Sequence, residues 1–249
     1  MVDKIDQSIK GDSNNQIIVH GNCIVGMNKE EVVELIKTFG YINKDDVIEI
    51  VKEVMENIPE DKKIQPNKRI FVPLIQQLSY SMEEDYIKER YKKLLESTMN
   101  IDKVDKVHPA FLNILSQLSS DEIKILNALT LTSLPNEPLI SMRMKINHEK
   151  GLGITQVKYF SDIGYRSSCQ FPGNICEYLE NLERLKIIEI PFGRKLIDES
   201  RYDNLINHPA MVTVRKNNQL ENWINVTYEY DKMFFNLTSF GIDFISCCK

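Results

Sequence analysis

The sequence predicts a mainly α protein of the α+β class: an N-terminal helical region, then a region that adds a small antiparallel sheet, the whole preceded by a short Gly/Asn-rich β segment. Three observations carry the prediction. Apolar residues recur at helical spacing through most of 27–130. β-Branched and aromatic runs broken by turn residues gather beyond residue 187. Between them, residues 107–126, VHPAFLNILSQLSSDEIKIL, spell two helices separated by a capped break. A chain of 249 residues can bury a sizeable core as one large domain or two small ones. The expected division is a strand-forming or disordered segment at 1–26, a two-helix region at 27–60, a helical core at 69–130 and an α+β region at 131–249.

Residues 1–26 consist of short β-branched pieces separated by Gly, Asn and Asp. An offset of ten residues aligns Ile9-Lys10-Gly11-Asp12-Ser13 with Val19-His20-Gly21-Asn22-Cys23, two copies of an apolar–polar–Gly–(Asp/Asn) unit. One reading is a disordered tail with chance similarity. The other is a strand element that gains stability by pairing with another chain, because an isolated hairpin is marginal in water. On that second reading the self-association residues are Ile9, Gly11, Asp12, Asn14, Gln16, Ile17, Val19, Gly21 and Asn22, and a homo-oligomer is expected.

Helical patterning starts at Met27. Asn28 caps a helix containing Val32, Val33, Leu35, Ile36 and Phe39, which Gly40 ends. A second helix follows Asn43, with Val47, Ile48, Ile50, Val51, Val54 and Met55 as its stripe, and stops before Pro59. After a polar loop at 60–68, a third helical region over about 69–99 spans Pro73 and carries Leu74, Leu78, Met82, Tyr86, Ile87, Tyr91, Leu94, Leu95 and Met99. Its alternating charges describe a solvated face. Pro109 suits the first turn of the next helix, because its missing N–H is one that turn leaves unbonded. Ser119-Ser120-Asp121-Glu122 then ends that helix and caps another with Ile123, Leu126 and Leu129 as its stripe.

Residues 130–172 read as irregular, since Pro135, Pro138, Gly151, Gly153 and Gly164 punctuate them. A helix at about 173–187 has Ile175, Tyr178, Leu179, Leu182 and Leu185 on one face. IIEIP (187–191) and the runs within 211–237 (MVTV, WINVTYEY, MFFNL) read as strands, and Thr238 or Ser239 caps a terminal helix. Helix, helix, strand, hairpin-like segment and terminal helix is the order of a winged helix, so 131–249 is expected to be winged-helix-like. The helix at 173–187 then stands where a recognition helix would. It exposes Glu177, Glu180, Asn181, Glu183, Arg184 and Lys186 rather than a basic surface. DNA binding is therefore disfavoured, and Glu177, Glu180, Glu183 and Arg184 become a candidate surface for a protein partner.

Composition excludes several classes. Net charge is −5: residues 1–110 hold 16 basic against 20 acidic side chains, and 111–249 hold 15 against 16. Neither half is a basic nucleic-acid platform. No apolar run reaches the roughly 20 residues of a membrane span. The five cysteines are odd in number, follow no framework and are preceded by no signal peptide, which reads as reduced thiols in a cytoplasmic protein. Cys169 and Cys176 are wrongly spaced for a zinc site, and Cys247-Cys248 reads as two thiols packed under the last helix. The four histidines are isolated; His108 and His208 each precede a proline and read as structural residues at chain turns. No nucleophile elbow, zinc-protease motif, P-loop or dinucleotide fingerprint occurs. No catalytic residue, metal or cofactor is expected.

VHPAFLNILSQLSSDEIKIL (107–126) resembles the Abi-alpha (abortive infection alpha) family of bacterial phage-defence proteins. The helix YIKERYKKLLESTMN (86–100) before it, and YLENLERLKIIE (178–189) and LTSFGIDFISCC (237–248) after it, look like further family motifs in their expected order. The residues that carry the resemblance are His108, Pro109, Phe111, Leu118, Ser119, Glu122, Leu126, Leu179, Leu182, Leu185, Thr238 and Gly241. Residues 7–26 also look like short segments at the start of other bacterial defence proteins. The resemblance implies a role in antiviral defence and carries no mechanism. With no catalytic motif in the sequence, the expectation is a non-enzymatic protein acting by protein–protein contact and self-association, as sensor or scaffold for a phage component or an adjacent effector. The alternative is a winged-helix nucleic-acid-binding transcriptional regulator.

Overall fold

Four amphipathic helices lay down the first half of the core. The computed structural model describes residues 44–131, 136–146, 153–220 and 226–249. Helix α1 (Lys44–Asn57) buries Val47, Ile48, Val51, Val54 and Met55 of the expected stripe and leaves Ile50 half-buried. The helix expected at 28–39 and the segment 1–26 lie outside the described residues. The single helical region expected over 69–99 is two helices, α2 (Lys68–Tyr80) and α3 (Asp85–Thr98). Asn67 caps α2 by accepting from the Arg69 N–H at 2.9 Å. Pro73 lies inside α2 without ending it; the break comes at Ser81, whose hydroxyl donates back to the Gln77 carbonyl at 3.0 Å. In α4 (Ala110–Leu115), Phe111, Leu112, Ile114 and Leu115 are buried. His108 Nδ1 accepts from the Ala110 N–H at 3.1 Å at its start, and the ring packs edge-on against Phe240.

Helix α5 (Ser120–Leu131) begins with a reciprocal cap. Glu122 Oε2 accepts from the Ser119 N–H at 2.7 Å and from its hydroxyl at 2.8 Å, and Ser119 Oγ accepts from the Glu122 N–H at 3.3 Å. The stretch expected to be irregular differs most from the structure. It holds strand β1 (Asn136–Ile146), strand β2 (Gly153–Phe160) and a short helix α6 (Ile163–Arg166). The alternation of Ile140, Met142 and Met144 inward with Arg143 outward is a period-two signal that the flanking prolines and glycines obscure.

Helix α7 (Ile175–Arg184) leads into strand β3 (Ile188–Glu189), shorter than expected. Two helices follow, α8 (Asp203–Ile206) and α9 (Pro209–Leu220). The MVTV run at 211–214, expected as a strand, lies in α9. Its β-branched residues are overridden by a helix start in which His208 Nδ1 accepts from the Ala210 N–H at 3.2 Å, and by Arg215, which donates to the Ile206 carbonyl at 2.8 Å. Strand β4 (Val226–Leu237) and helix α10 (Ser239–Cys248) complete the order.

The sheet runs β2-β1-β4-β3, antiparallel throughout. β1 and β4 pair along their whole length, from Asn136 opposite Asn236 to Ile146 opposite Val226. β3 and β4 pair only at Ile188–Leu237 and Glu189–Asn236, and the segment between them is helical from Glu199 to Leu220 apart from short turns. The described residues are thus mainly helical with a small four-stranded sheet. A single apolar cluster runs from Val47 in α1 to Cys248 in α10, so the helical core and the sheet share one interior.

Candidate functional site

The segment after α6 returns across the N-terminus of α5, and this crossing is where buried charge concentrates. Asp121 and Glu122, both in the first turn of α5, are 5% and 3% exposed. Buried carboxylates need hydrogen bonds, and these two are saturated. Asp121 accepts from the Gln170 N–H at 2.8 Å, the Phe171 N–H at 2.9 Å, the Tyr178 hydroxyl at 3.0 Å and the Lys124 ammonium at 3.0 Å. Burial alone pushes the Asp121 carboxyl up, but the two backbone N–H donors, Lys124 and Tyr178 together hold it down to about 2. Burial first, and then its bond to Asp121, push the Tyr178 hydroxyl up to about 12. The half-buried Cys169 thiol is pushed up to about 11 by its partial burial and by the neighbouring Asp121, and is held protonated.

Glu122 extends the junction to α7. Its Oε1 accepts from the Asn181 amide at 2.7 Å, and that amide also donates to the Gln117 carbonyl at 3.0 Å. Arg184 then donates to the Gln117 side chain at 2.9 Å and to Asn181 Oδ1 at 2.6 Å. On the far flank of α7, Glu180 pairs with Lys158 of β2, whose ammonium sits 4.6 Å from the Tyr159 ring centroid. Tyr159 and Ser168, flanking this region, hold positive φ values of 51° and 54°, strained for residues with a Cβ. Helix α7 is therefore held from both sides, by α5 and by β2.

The end of α7 is anchored as firmly. Lys186 adopts φ 61°; its N–H donates to the Glu183 carbonyl at 2.9 Å, and the Ile187 N–H donates to the Leu182 carbonyl at 3.0 Å. The carbonyls of Lys186 and Ile187 are then free for the start of α10. Thr238 donates to them from its hydroxyl at 2.6 Å and from its N–H at 3.0 Å, while its Oγ1 accepts from the Gly241 N–H at 2.9 Å. Gly241 lies so close that a Cβ there would stand 2.1 Å from the Ile187 carbonyl oxygen. At its other end α10 is held by α3: Ser97 donates to the Cys247 carbonyl at 2.9 Å and Arg90 to the Cys248 carbonyl at 2.8 Å.

These contacts place the expected site residues. Glu177 and Glu180 are exposed on α7, Arg184 is exposed but tied to Gln117 and Asn181, and Glu183 is half-buried. The four line one helix, with Glu177 and Glu180 as its open part. Ile9, Gly11, Asp12, Asn14, Gln16, Ile17, Val19, Gly21 and Asn22 lie outside the described residues. The junction of Asp121, Tyr178 and Asn181 went unforeseen; its signal in the sequence is a pair of acids at a helix start followed by apolar residues. Also unforeseen are Phe192 and Ile197, fully exposed on the loop after β3. Elsewhere, a groove of about 380 Å³ between α1 and α3 is lined by Asp46, Glu49, Ile50, Glu53, Met82, Lys88, Glu89 and Lys92. An apolar crevice under α10 encloses about 10 Å³, room for one water. Among the described residues, no three His, Cys, Asp or Glu side chains are grouped to hold a metal ion, and no helix is long and apolar enough to cross a membrane.

No curated protein matches the chain. Among solved structures, that of an uncharacterized protein from the hydrocarbon-degrading marine bacterium Alcanivorax borkumensis SK2 aligns at 15% identity over 55% of this chain and 90% of that one, with a TM-score of 0.35. The sequence model of the family described as abortive infection alpha matches residues 42–248. That span takes in 86–100, 107–126, 178–189 and 237–248, the segments whose contacts fasten α3, α5, α7 and α10 together, and the chain belongs to the Abi_alpha family.

Proposed function

We propose that this Abi_alpha chain is a non-enzymatic protein of bacterial abortive-infection defence, working by protein–protein contact and self-association as sensor or scaffold for a partner. Family membership supports the defence role. The observation that carries the contact role is the outward face of α7: Glu177 and Glu180 stand on a helix whose Tyr178 and Asn181 are fastened from below by Asp121 and Glu122. A rigid helix face presents side chains with little ordering cost on binding. The buried carboxylates beneath it serve as joints between helices rather than as an acid–base pair. Residues 9–22 are the proposed self-association element and 131–249 the proposed winged-helix-like part, with a nucleic-acid regulator as the weaker reading because the exposed face of α7 carries Glu177 rather than a basic surface.

Plaque counts with and without the gene, alone and together with its genomic neighbours, test the defence role; no protection across a broad phage panel rejects it. Within a protecting system, Glu177→Lys should weaken partner capture while circular dichroism stays unchanged. Tight, steeply salt-dependent DNA binding by the wild-type chain would favour the regulator instead.

A further inference from the structure

The loop that joins β3 to the helices before β4 carries two large apolar side chains into solvent. Phe192 is 102% and Ile197 103% exposed, so no neighbouring group shields either one. Both are held in that position. Arg194 N–H donates to the Pro191 carbonyl at 3.4 Å, closing a turn whose third residue is Gly193 at φ 68°. A turn of that kind needs positive φ at its third residue, which suits glycine, and it sets Phe192 at the apex. Behind it, Leu196 is buried and its N–H donates to the Tyr202 hydroxyl at 2.8 Å, which donates in turn to the Met233 carbonyl at 2.8 Å. With Leu196 fastened inward to a wholly buried tyrosine, Ile197 is left outward.

The charges between the two tips are cationic. Residues 190–197 contain Arg194 and Lys195 and no acid. Arg194 is exposed and makes no ion pair among the described residues, whereas Lys195 bonds Glu199, which Lys232 also neutralises at 2.8 Å. The acids that flank the loop are Glu189 before the first tip, which accepts from the Asn236 amide at 3.0 Å, and Asp198 beyond the second, which accepts from the Ser200 N–H and hydroxyl. Two separate apolar tips with charged neighbours offer far less surface than the roughly 800 Å² per partner of a stable protein interface. A bilayer interface asks only for projecting apolar side chains with cations at headgroup depth.

We propose that the loop 191–197 is a membrane-surface contact, with Phe192 and Ile197 entering the headgroup boundary of an anionic bilayer and Arg194 meeting lipid phosphate. The loop lies on the surface, at the level of the headgroups. This goes beyond the defence role and is tested without phage. The full chain is floated with vesicles of phosphatidylethanolamine and phosphatidylglycerol, and separately with phosphatidylcholine. The wild-type chain rises with the anionic vesicles, less so as salt increases. Phe192→Ser with Ile197→Ser lowers the bound fraction about tenfold, and Arg194→Glu lowers it and removes its salt dependence. Neither change touches a packed atom, so thermal unfolding stays at the wild-type temperature. Failure of the wild-type chain to float, undiminished flotation of the double variant, or equal flotation on neutral vesicles overturns the proposal. Loss of phage protection in the double variant without any vesicle binding also overturns it and assigns the tips to a protein.

Discussion

Asp121 shows what one buried carboxylate does for this fold. Its four donors come from α5 itself, from the loop at 170–171 and from α7. Asp121→Asn keeps the shape but places an amide where acceptors are needed, and the loss should be about 2–3 kcal/mol. The pH dependence has a definite sign. The folded carboxyl, at about 2, lies below its ordinary unfolded value, so the ion is worth most where the unfolded group is also ionised. Its contribution is complete above about pH 4 and disappears as pH falls through about 2. Urea midpoints measured across that range should fall more steeply for the wild-type chain than for Asp121→Asn. Parallel curves would remove Asp121 from the account. His108 and His208 show the same economy at smaller scale, each capping its own helix through the second residue after it.

Among the elements, the cap between α7 and α10 lets substitutions be predicted with opposite signs. Lys186 sits at φ 61° with an exposed side chain, a conformation that costs a residue bearing a Cβ about 1 kcal/mol. Lys186→Gly should therefore stabilise by about 0.5–1 kcal/mol. Gly241→Ala should destabilise by about 3 kcal/mol, because its new carbon meets the Ile187 carbonyl and backbone cannot yield as a flexible side chain would. Thermal unfolding of the two variants should bracket the wild type; a shift in the same direction for both would break the argument. Helices whose apolar stripe and cap lie close in sequence were readable: α1, α5, α7 and α10 occur where expected. The strands were less so. β1 draws both its partners from elsewhere, β2 beyond a polar stretch with Gly151 and β4 some ninety residues on, so local punctuation outweighed its alternation. The single region over 69–99 concealed a break for a related reason, since Ser79 and Ser81 do not stop a helix by type alone.

At the scale of the molecule, the sequence suggested where the helices are but not what their polar residues join. Ser119 and Glu122 were legible as a cap, yet the second oxygen of Glu122 goes to Asn181, a partner no spacing rule could supply. The same holds for α3 and α10, about 150 residues apart, whose contact turns two successive regions into one core. Arg90 is the test of that unity. It reaches across to the Cys248 carbonyl at the end of α10 and also bonds Asn127 on α5, so one side chain holds three helices. Arg90→Met keeps much of the apolar stem but leaves the carbonyl and the amide without their donor, at a cost of about 2 kcal/mol. If the protein unfolds as one unit, that loss appears equally in the hydrogen exchange of the Leu94 and Leu95 amides in α3 and of the Phe244 amide in α10. If the regions are independent, α10 exchanges faster while α3 keeps its protection. Equal acceleration is the expected result, because Tyr91, Leu94 and Leu95 of α3 and Phe244, Cys247 and Cys248 of α10 belong to one buried cluster, which cannot lose one side without exposing the other.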